Sequence, residues 1–210
     1  MKIVAISDTH GLHRALTLPS GDILICAGDM QGWKQKLDDF FSWIGAQPFK
    51  YKILIAGNHD EAFEKNADET EKLLLRLAGK NVHYLMDREV TIEGLRIYGS
   101  PWTPEFNNWF FNVPRDRIAE NWAHIPKGLD VLITHGPPSG KLGGVLEDGE
   151  DVGDEALLQR VLKVRPRLHV FGHIHSGYGV IKHSSGVTFA NAAMLDEKFG
   201  MARKPLELEL

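Results

Sequence analysis

The sequence is poor in cysteine and has no long apolar run. Cys26 is the single cysteine among 210 residues, so an intramolecular disulfide and a cysteine-based zinc site are both excluded. No stretch approaches the roughly 20 apolar residues of a membrane helix. The apolar run at residues 3–6 is far shorter than the core of about 7–15 residues in a signal peptide. We therefore expect a soluble, cytoplasmic protein without a membrane partner.

Clustered positive charge is also absent. The chain has 24 basic and 28 acidic residues, a net charge of −4, and no basic run that could follow a nucleic-acid backbone. Duplex nucleic acid is therefore not an expected partner, and a nuclease acting on single strands is disfavoured for the same reason. The sequence has neither a Gly-x-Ser-x-Gly elbow nor a Walker-type phosphate loop, which mark two common classes of hydrolase.

The remaining composition is that of an ordinary globular domain. Hydrophobic residues make up 43% of the chain and charged residues 25%, and we assign residues 1–210 to a single domain. In the first half, short apolar runs alternate with helical periodicity, which predicts parallel strands joined by crossover helices. Strands are predicted at 3–6, 23–27, 52–56 and 82–85, with one helix presenting Trp33, Leu37, Phe40, Phe41 and Ile44 and another over 62–78.

The second half adds hairpins to this pattern. Glu93-Gly94 interrupts the strand pattern of 89–98, and a second hairpin joins 178–182 to 187–191. An aromatic and proline-rich loop spans 99–114. Further strands are predicted at 131–133, 169–171 and 206–210, and further helices at 115–124 and 154–164. The sum predicts a mixed α/β (α+β) fold.

Histidine, in contrast, is abundant, and half of the ten histidines lie in short clusters with Asp, Asn and Gly. Five predicted strands end directly in such residues. Because ligands bind beyond the carboxyl ends of strands in α/β sheets, these ends predict one converging site. Residues two apart in an extended segment point the same way, so each close pair can reach that site together. The candidate metal ligands are Asp8, His10, Asp29, Asn58, His135, His173 and His175.

Seven ligands are more than one ion uses, but they suit two ions that share a carboxylate. Two ions about 3.5–4 Å apart favour hydrolysis of phosphate esters, because a water between them becomes a hydroxide near neutral pH. No protein nucleophile is then needed, and Cys26, inside an apolar run, is interpreted as a packed thiol.

These motifs, in this order over residues 8–175, resemble those of the calcineurin-like metallophosphoesterases. The segment Gly99-Ser100-Pro101-Trp102, with nearby Phe106, Asn107 and Trp109, is similar to the small metallophosphoesterase-domain subgroup related to cyclic-nucleotide phosphodiesterases. The resemblance implies a four-layer αββα sandwich of two mixed sheets flanked by helices, with the metals at the strand ends.

The resemblance also implies a role for each motif residue. The first metal would take Asp8, His10, Asp29 and His175, and the second would take Asp29, Asn58, His135 and His173, with Asp29 bridging. His59 matches the histidine that contacts the phosphoryl group and assists the leaving oxygen. Asp60 would hydrogen-bond His59 and fix its orientation, although an aspartate there could also cap a helix.

The hypothesis is a dinuclear metal-dependent phosphoesterase that hydrolyses small phosphodiesters, cyclic nucleotides among them. Trp102 and Asn107 are the candidate substrate contacts, although a satellite core under the loop is the favoured interpretation of its aromatic residues. The alternatives are a phosphomonoesterase with the same site and a weakly catalytic interaction scaffold, which the complete ligand set disfavours. Manganese is the expected metal, with iron or zinc as alternatives. A homodimer through the aromatic loop or the C-terminal strand is compatible with the sequence.

Overall fold

The computed structural model describes residues 1–32, 36–141 and 143–210 of the chain. Most of their regular structure lies in two large β-sheets and the helices packed on them. The strands are β1 (Lys2–Ile6), β2 (Ile23–Cys26), β3 (Tyr51–Leu54), β4 (Val82–Tyr84), β5 (Arg88–Ile92), β6 (Leu95–Ser100), β7 (Thr103–Pro104), β8 (Asn112–Val113), β9 (Val131–Thr134), β10 (Leu168–Phe171), β11 (Gly179–Lys182), β12 (Thr188–Asn191) and β13 (Leu206–Glu209). The helices are α1 (Leu37–Gly45), α2 (Glu61–Lys65), α3 (Ala67–Ala78), α4 (Ala119–Trp122) and α5 (Glu155–Val164), with 3-10 turns at His13–Ala15 and His175–Gly177.

The first sheet has the order β13-β1-β2-β3-β4. Strands β1 to β4 are parallel, as the alternation of strand and helix patterns predicts, and β13 pairs antiparallel with β1. Parallel pairing places the ends of β1, β2 and β3 at one edge, because Ile6 lies beside Cys26 and Cys26 beside Leu54.

The second sheet has the order β11-β12-β10-β9-β6-β5. Strands β6, β9, β10 and β12 are parallel in its centre, and both predicted hairpins form its edges, β5 with β6 and β11 with β12. The isolated bridge between Ser7 and Ala193 links the end of β1 to the segment after β12. The two sheets therefore present their strand ends to a common region.

Three apolar cores separate four layers of structure. Successive residues of β1 face opposite ways, so Val4 and Ile6 pack with Phe40 and Phe41 of α1, whereas Ile3 and Ala5 pack toward the second sheet. The third core joins the other face of the second sheet to α4 and α5 through side chains such as Trp122 and Leu157. The predicted αββα sandwich of two mixed sheets is confirmed. None of the helices in the described part of the chain is long and apolar enough to cross a bilayer.

Some predicted helix boundaries are wrong. The helix over 62–78 is two helices, because Asn66, a weak helix former, adopts φ −141° and ψ 50° between α2 and α3. The predicted helix over 115–124 is shorter in the structure. Residues 115–118 form turns, in which the amides of Arg117 and Ile118 donate to the Pro114 carbonyl, and α4 begins at Ala119. The aromatic loop contains the short β7–β8 pair. Trp33, assigned to the first helix, lies outside the described residues.

Candidate metal centre

The seven predicted ligands meet where the ends of five parallel strands converge. Asp8 and His10 follow β1, Asp29 follows β2, Asn58 follows β3, His135 follows β9, and His173 and His175 follow β10. Three groups of side chains each bring their ligand atoms within 4.8 Å of one another. These groups are Asp8 with His10 and His175, Asp29 with His135 and His173, and His10 with Asp29 and His59.

The carboxylate of Asp29 lies between the two sides of the cluster. Its Oδ2 is 3.7 Å from His10 Nε2 and 3.4 Å from His135 Nε2, and also 3.9 Å from His59 Nε2. Its other oxygen, Oδ1, accepts a hydrogen bond from the backbone amide of His59 at 2.8 Å, which fixes the rotation of the carboxylate. One oxygen is thus placed between two groups of donors.

His135 and Asn58 complete one side of the cluster. His135 Nδ1 lies 2.8 Å from the carbonyl oxygen of Ala27, which orients the ring so that Nε2 faces Asn58 Oδ1 at 2.9 Å. Burial tends to lower the pKa of His135, but the carboxylates of Asp29 and Asp8 together with the Ala27 carbonyl outweigh burial and raise the pKa to about 9. The oxygens around this imidazole therefore favour a positive charge at Nε2.

On the other side, His175 Nε2 lies 3.8 Å from Asp8 Oδ1. Burial tends to raise the pKa of Asp8, but the imidazoles of His175 and His135 together lower it by more, so the net pKa falls below its usual range. Burial likewise lowers the pKa of His173 to about 4, with the positive charge of His135 acting in the same direction. The protein thus holds ionised carboxylates beside a neutral imidazole at His173, whereas a metal bound by His135 would have to displace a proton from its ring.

The residues fit a pair of metal ions. Asp8 is fully buried, yet its Oδ1 has no hydrogen-bond partner among the described residues, which is costly unless a cation accounts for it. The donors are carboxylate, amide oxygen and imidazole, a set that suits first-row metals such as manganese, iron and zinc. Asn58 Nδ2 is likewise buried without a hydrogen-bond partner within the described ranges.

Unusual backbone geometry accompanies the cluster. Asp8, His10, Asp29 and His173 all have positive φ, at 53°, 40°, 51° and 67°. Such left-handed conformations cost about 1–2 kcal/mol for a residue with a Cβ, and they collect at functional sites. The sharp turns after the strands aim these side chains at one point, which regular strand geometry would not do.

Asp60 does not play the predicted part. Its carboxylate accepts hydrogen bonds from the backbone amides of Gly57 at 2.8 Å, Met30 at 3.1 Å and Gln31 at 3.0 Å. A bond from this carboxylate to the His59 ring is not among the contacts of the described residues, and Asp60 makes no side-chain cap on α2 either. Burial raises the pKa of Asp60 to about 7. This side chain instead ties the loop after β2 to the loop after β3.

Trp102 and Asn107 are not placed as predicted either. The indole nitrogen of Trp102 donates to Asp87 Oδ2 at 2.6 Å, and its ring packs against apolar cores below the loop. Neither residue lines the cavity of about 530 Å³ that opens over the metal ligands. From the same loop, Phe106 and Trp109 line it, and the Trp109 ring lies 4.2 Å from that of His59.

Sequence reasoning missed the other wall of this cavity. It includes Glu197 and Phe199, which follow β12, and Arg115, whose guanidinium donates to the carbonyls of Val152 and Gly153. The sequence signal that could have indicated this wall is the single phenylalanine in the otherwise polar segment 196–200.

Comparison with known proteins adds independent information. The family model described as calcineurin-like phosphoesterase matches residues 1–177. Metallophosphoesterase domain-containing protein 1 of Homo sapiens is 39% identical over an alignment that covers all of this chain and 71% of that protein. A UPF0046 protein of Caenorhabditis elegans is 37% identical, covering all of this chain and 81% of its own length. The crystal structure of TT1561 from Thermus thermophilus superposes with a TM-score of 0.66 at 13% identity, covering 90% of this chain and 88% of that one, which supports the fold.

Proposed function

The chain belongs to the calcineurin-like phosphoesterase family, and from this premise we propose that it hydrolyses small phosphodiesters, cyclic nucleotides among them, with two bound metal ions. The family is one of metal-dependent phosphoester hydrolases. The observation that carries the proposal is the position of Asp29 Oδ2, 3.7 Å from His10 Nε2 on one side and 3.4 Å from His135 Nε2 on the other. A carboxylate between two sets of donors suits a bridging ligand.

The proposed ligand sets follow the groups of neighbouring side chains. One ion would be held by Asp8, His10, His175 and Asp29. The second would be held by Asp29 together with Asn58, His135 and His173. The hydrogen bond of His135 to the Ala27 carbonyl would keep its Nε2 directed at the ion.

When bound, two such ions would supply positive charge for the phosphoryl oxygens and would make a water at the site more acidic. The side chains around the metals would bind and orient the substrate. His59, half-buried beside Asp29 and Trp109, would contact the phosphoryl group and assist the leaving oxygen. Burial lowers the pKa of His59, although the negative charge of Asp29 acts in the opposite direction. Asp60 would act indirectly, by fixing the backbone of the loops that carry Asp29 and Asn58.

The cavity supports a preference for diesters. A phosphate group needs little more than the metal ligands, whereas the cavity of about 530 Å³ continues past them to Pro104, Phe106 and Trp109. This extra, largely apolar space could hold the second substituent of a diester.

The test is turnover by metal-stripped protein with Mn²⁺ added back, on bis-p-nitrophenyl phosphate and on p-nitrophenyl phosphate. We expect Mn²⁺-dependent hydrolysis, faster on the diester, that falls at least about 100-fold in Asp29→Ala and in His59→Ala. His124→Ala, which changes an exposed histidine away from the cluster, is the matched control and should keep full activity.

Each other outcome is informative. Faster turnover of the monoester would replace the diesterase proposal with a phosphomonoesterase. Two bound metals without turnover on either substrate would favour the interaction scaffold. Full activity in Asp29→Ala would refute the proposed bridging carboxylate.

A further inference from the structure

A loop beyond the family-matched region closes one side of the metal centre. It comprises residues 196–200, between β12 and β13, and we refer to it as the Asp196 loop. The family model ends at residue 177, so the family match assigns no role to this loop. Two of its residues, Glu197 and Phe199, line the cavity over the metal ligands.

The Asp196 loop is held in shape by its first residue. Asp196 Oδ1 accepts hydrogen bonds from the backbone amides of Lys198 at 2.9 Å and Gly200 at 2.8 Å. The backbone of Asp196 adds two more bonds, from its N–H to the Gly200 carbonyl and to its carbonyl from the Phe199 N–H. The base is fixed by the bridge between Leu195, which is buried, and Met201. Five residues with this many internal bonds form a defined turn.

The same turn holds a metal ligand in place. The Asp196 carbonyl oxygen lies 2.9 Å from His175 Nδ1, so that nitrogen carries the proton and donates it. Nε2 is then the free donor atom, and it faces Asp8 Oδ1 at 3.8 Å. A carbonyl that fixes the tautomer and rotation of an imidazole in this way raises its affinity for a metal.

The turn also presents an aromatic ring to the cavity. Phe199 is 54% exposed, although it is a large apolar side chain, and its φ is 58°. Its ring packs edge-on against two of the metal ligands, with centroids 5.2 Å from His10 and 5.3 Å from His175. A strained, half-exposed phenylalanine whose contacts are site histidines points to a role in binding.

We infer that the Asp196 loop is a working part of the metal centre, in which Asp196 positions His175 and Phe199 contacts a flat apolar substituent on the phosphorus of the ligand. The contact with the substituent rests on the proposed function, since it requires a phosphoryl group at the metals. The positioning of His175 requires only that metals bind.

The positioning role is tested by calorimetric titration of the metal-free protein with Mn²⁺. Asp196→Ala removes the acceptor that closes the turn, and we expect one of the two sites to bind Mn²⁺ about 10–100-fold more weakly. Asp196→Asn keeps an acceptor oxygen and should restore affinity to within about threefold. Lys198→Ala keeps the backbone amide and is the matched control. Thermal unfolding of each metal-free variant verifies that it is folded. Equal Mn²⁺ affinity in Asp196→Ala and Lys198→Ala would overturn this role.

The contact role is tested by binding of phenylphosphonate and methylphosphonate to the Mn²⁺-loaded protein. The two differ only in the ring, and neither needs to be hydrolysed. An edge-on aromatic contact predicts that the protein binds phenylphosphonate about fivefold more tightly and that Phe199→Ala removes most of this preference. Phe110→Ala, in a ring that does not line the cavity, should retain it.

The outcomes separate this inference from the proposed function. No preference for the phenyl compound, or one that survives Phe199→Ala, would overturn the contact. Mn²⁺ binding and phosphonate preference as expected, in a protein that hydrolyses no phosphoester, would refute the proposed hydrolysis and leave the inference standing.

Discussion

Replacing Gly172 by alanine should damage the metal centre by moving one of its proposed ligands. Gly172 stands between β10 and His173, where the second sheet meets the loop after β1. An added Cβ would lie 2.6 Å from Ser7 Cβ and would overlap the Oδ2 atom of Asp8. The Gly172 backbone carries no positive φ, so the change tests this close approach rather than conformational strain.

The size of the effect follows from the distances. Ordinary contact for a Cβ begins at 3.4 Å, so Ser7 and Gly172 must separate by about 0.8 Å or more. That shift would strain the 2.9 Å hydrogen bond from the His173 amide to Asp8 Oδ2, which orients the carboxylate. Overpacking of this kind costs about 1–3 kcal/mol of stability. A misplacement near 1 Å at a reacting site costs about 100-fold in rate.

The assay combines three measurements on Gly172→Ala. We expect the unfolding temperature of the metal-free form to fall by about 2–12 °C. The affinity for Mn²⁺ should fall about 10–100-fold, and kcat/KM for the diester should fall about 100-fold. Gly186→Ala is the control. An added Cβ there meets nothing within 4 Å, so the variant has the backbone strain of an alanine at a φ of +90° but no close contact. The reasoning fails if Gly172→Ala binds Mn²⁺ and turns over like the control.

Three further predictions concern stability and substrate binding. Removing metal with a chelator should lower the unfolding temperature by about 5–11 °C relative to protein with Mn²⁺ at 100 times its Kd, because binding at that level adds about 2.7 kcal/mol; an unchanged melting curve would contradict it. Burial lowers the pKa of His169 to about 3 from 6.5, so the unfolded chain gains a proton there first and the free energy of unfolding falls as pH drops from 6.5 toward 3. Denaturant titrations should show a smaller loss over that range in His169→Gln, and equal slopes in both proteins would disprove the effect. Trp102→Phe loses the bond to Asp87 and should cost about 1–3 kcal/mol of stability without changing KM, whereas Trp109→Ala should raise KM for the diester; the opposite pattern would restore Trp102 as a substrate contact.

The sheet and the convergence of the ligands were accessible from the sequence because both depend on local pattern. A buried strand such as β2 appears as a short apolar run, and Asp29 follows it directly. Once several such runs are predicted to be parallel, their ends must meet, whatever the details of the loops. The ring of His135 and the carboxylate of Asp29 thus come within 3.4 Å although 106 positions separate them.

Side-chain roles inside the loops were not accessible in this way. Trp102 turns inward because Asp87, 15 residues earlier and in another loop, accepts its indole proton. Asp60 is drawn to backbone amides of the loop after β2 rather than to its neighbour His59. Both outcomes are decided by hydrogen bonds between loops, and no periodic pattern encodes them. The break at Asn66 is of another kind, since a weak helix former permits a break without requiring one.

The position of β13 has a consequence for how the chain is made. Among the residues that the structure describes, β1, which leads to Asp8, is the first strand along the chain, and its outer partner β13 is the last. At about 5–20 residues per second, the roughly 200 residues between them take about 10–40 s to translate. Throughout that interval the backbone N–H and C=O groups that β13 will pair are open to pairing with other nascent chains. We therefore expect the nascent chain to be most prone to edge-to-edge aggregation before β13 has emerged.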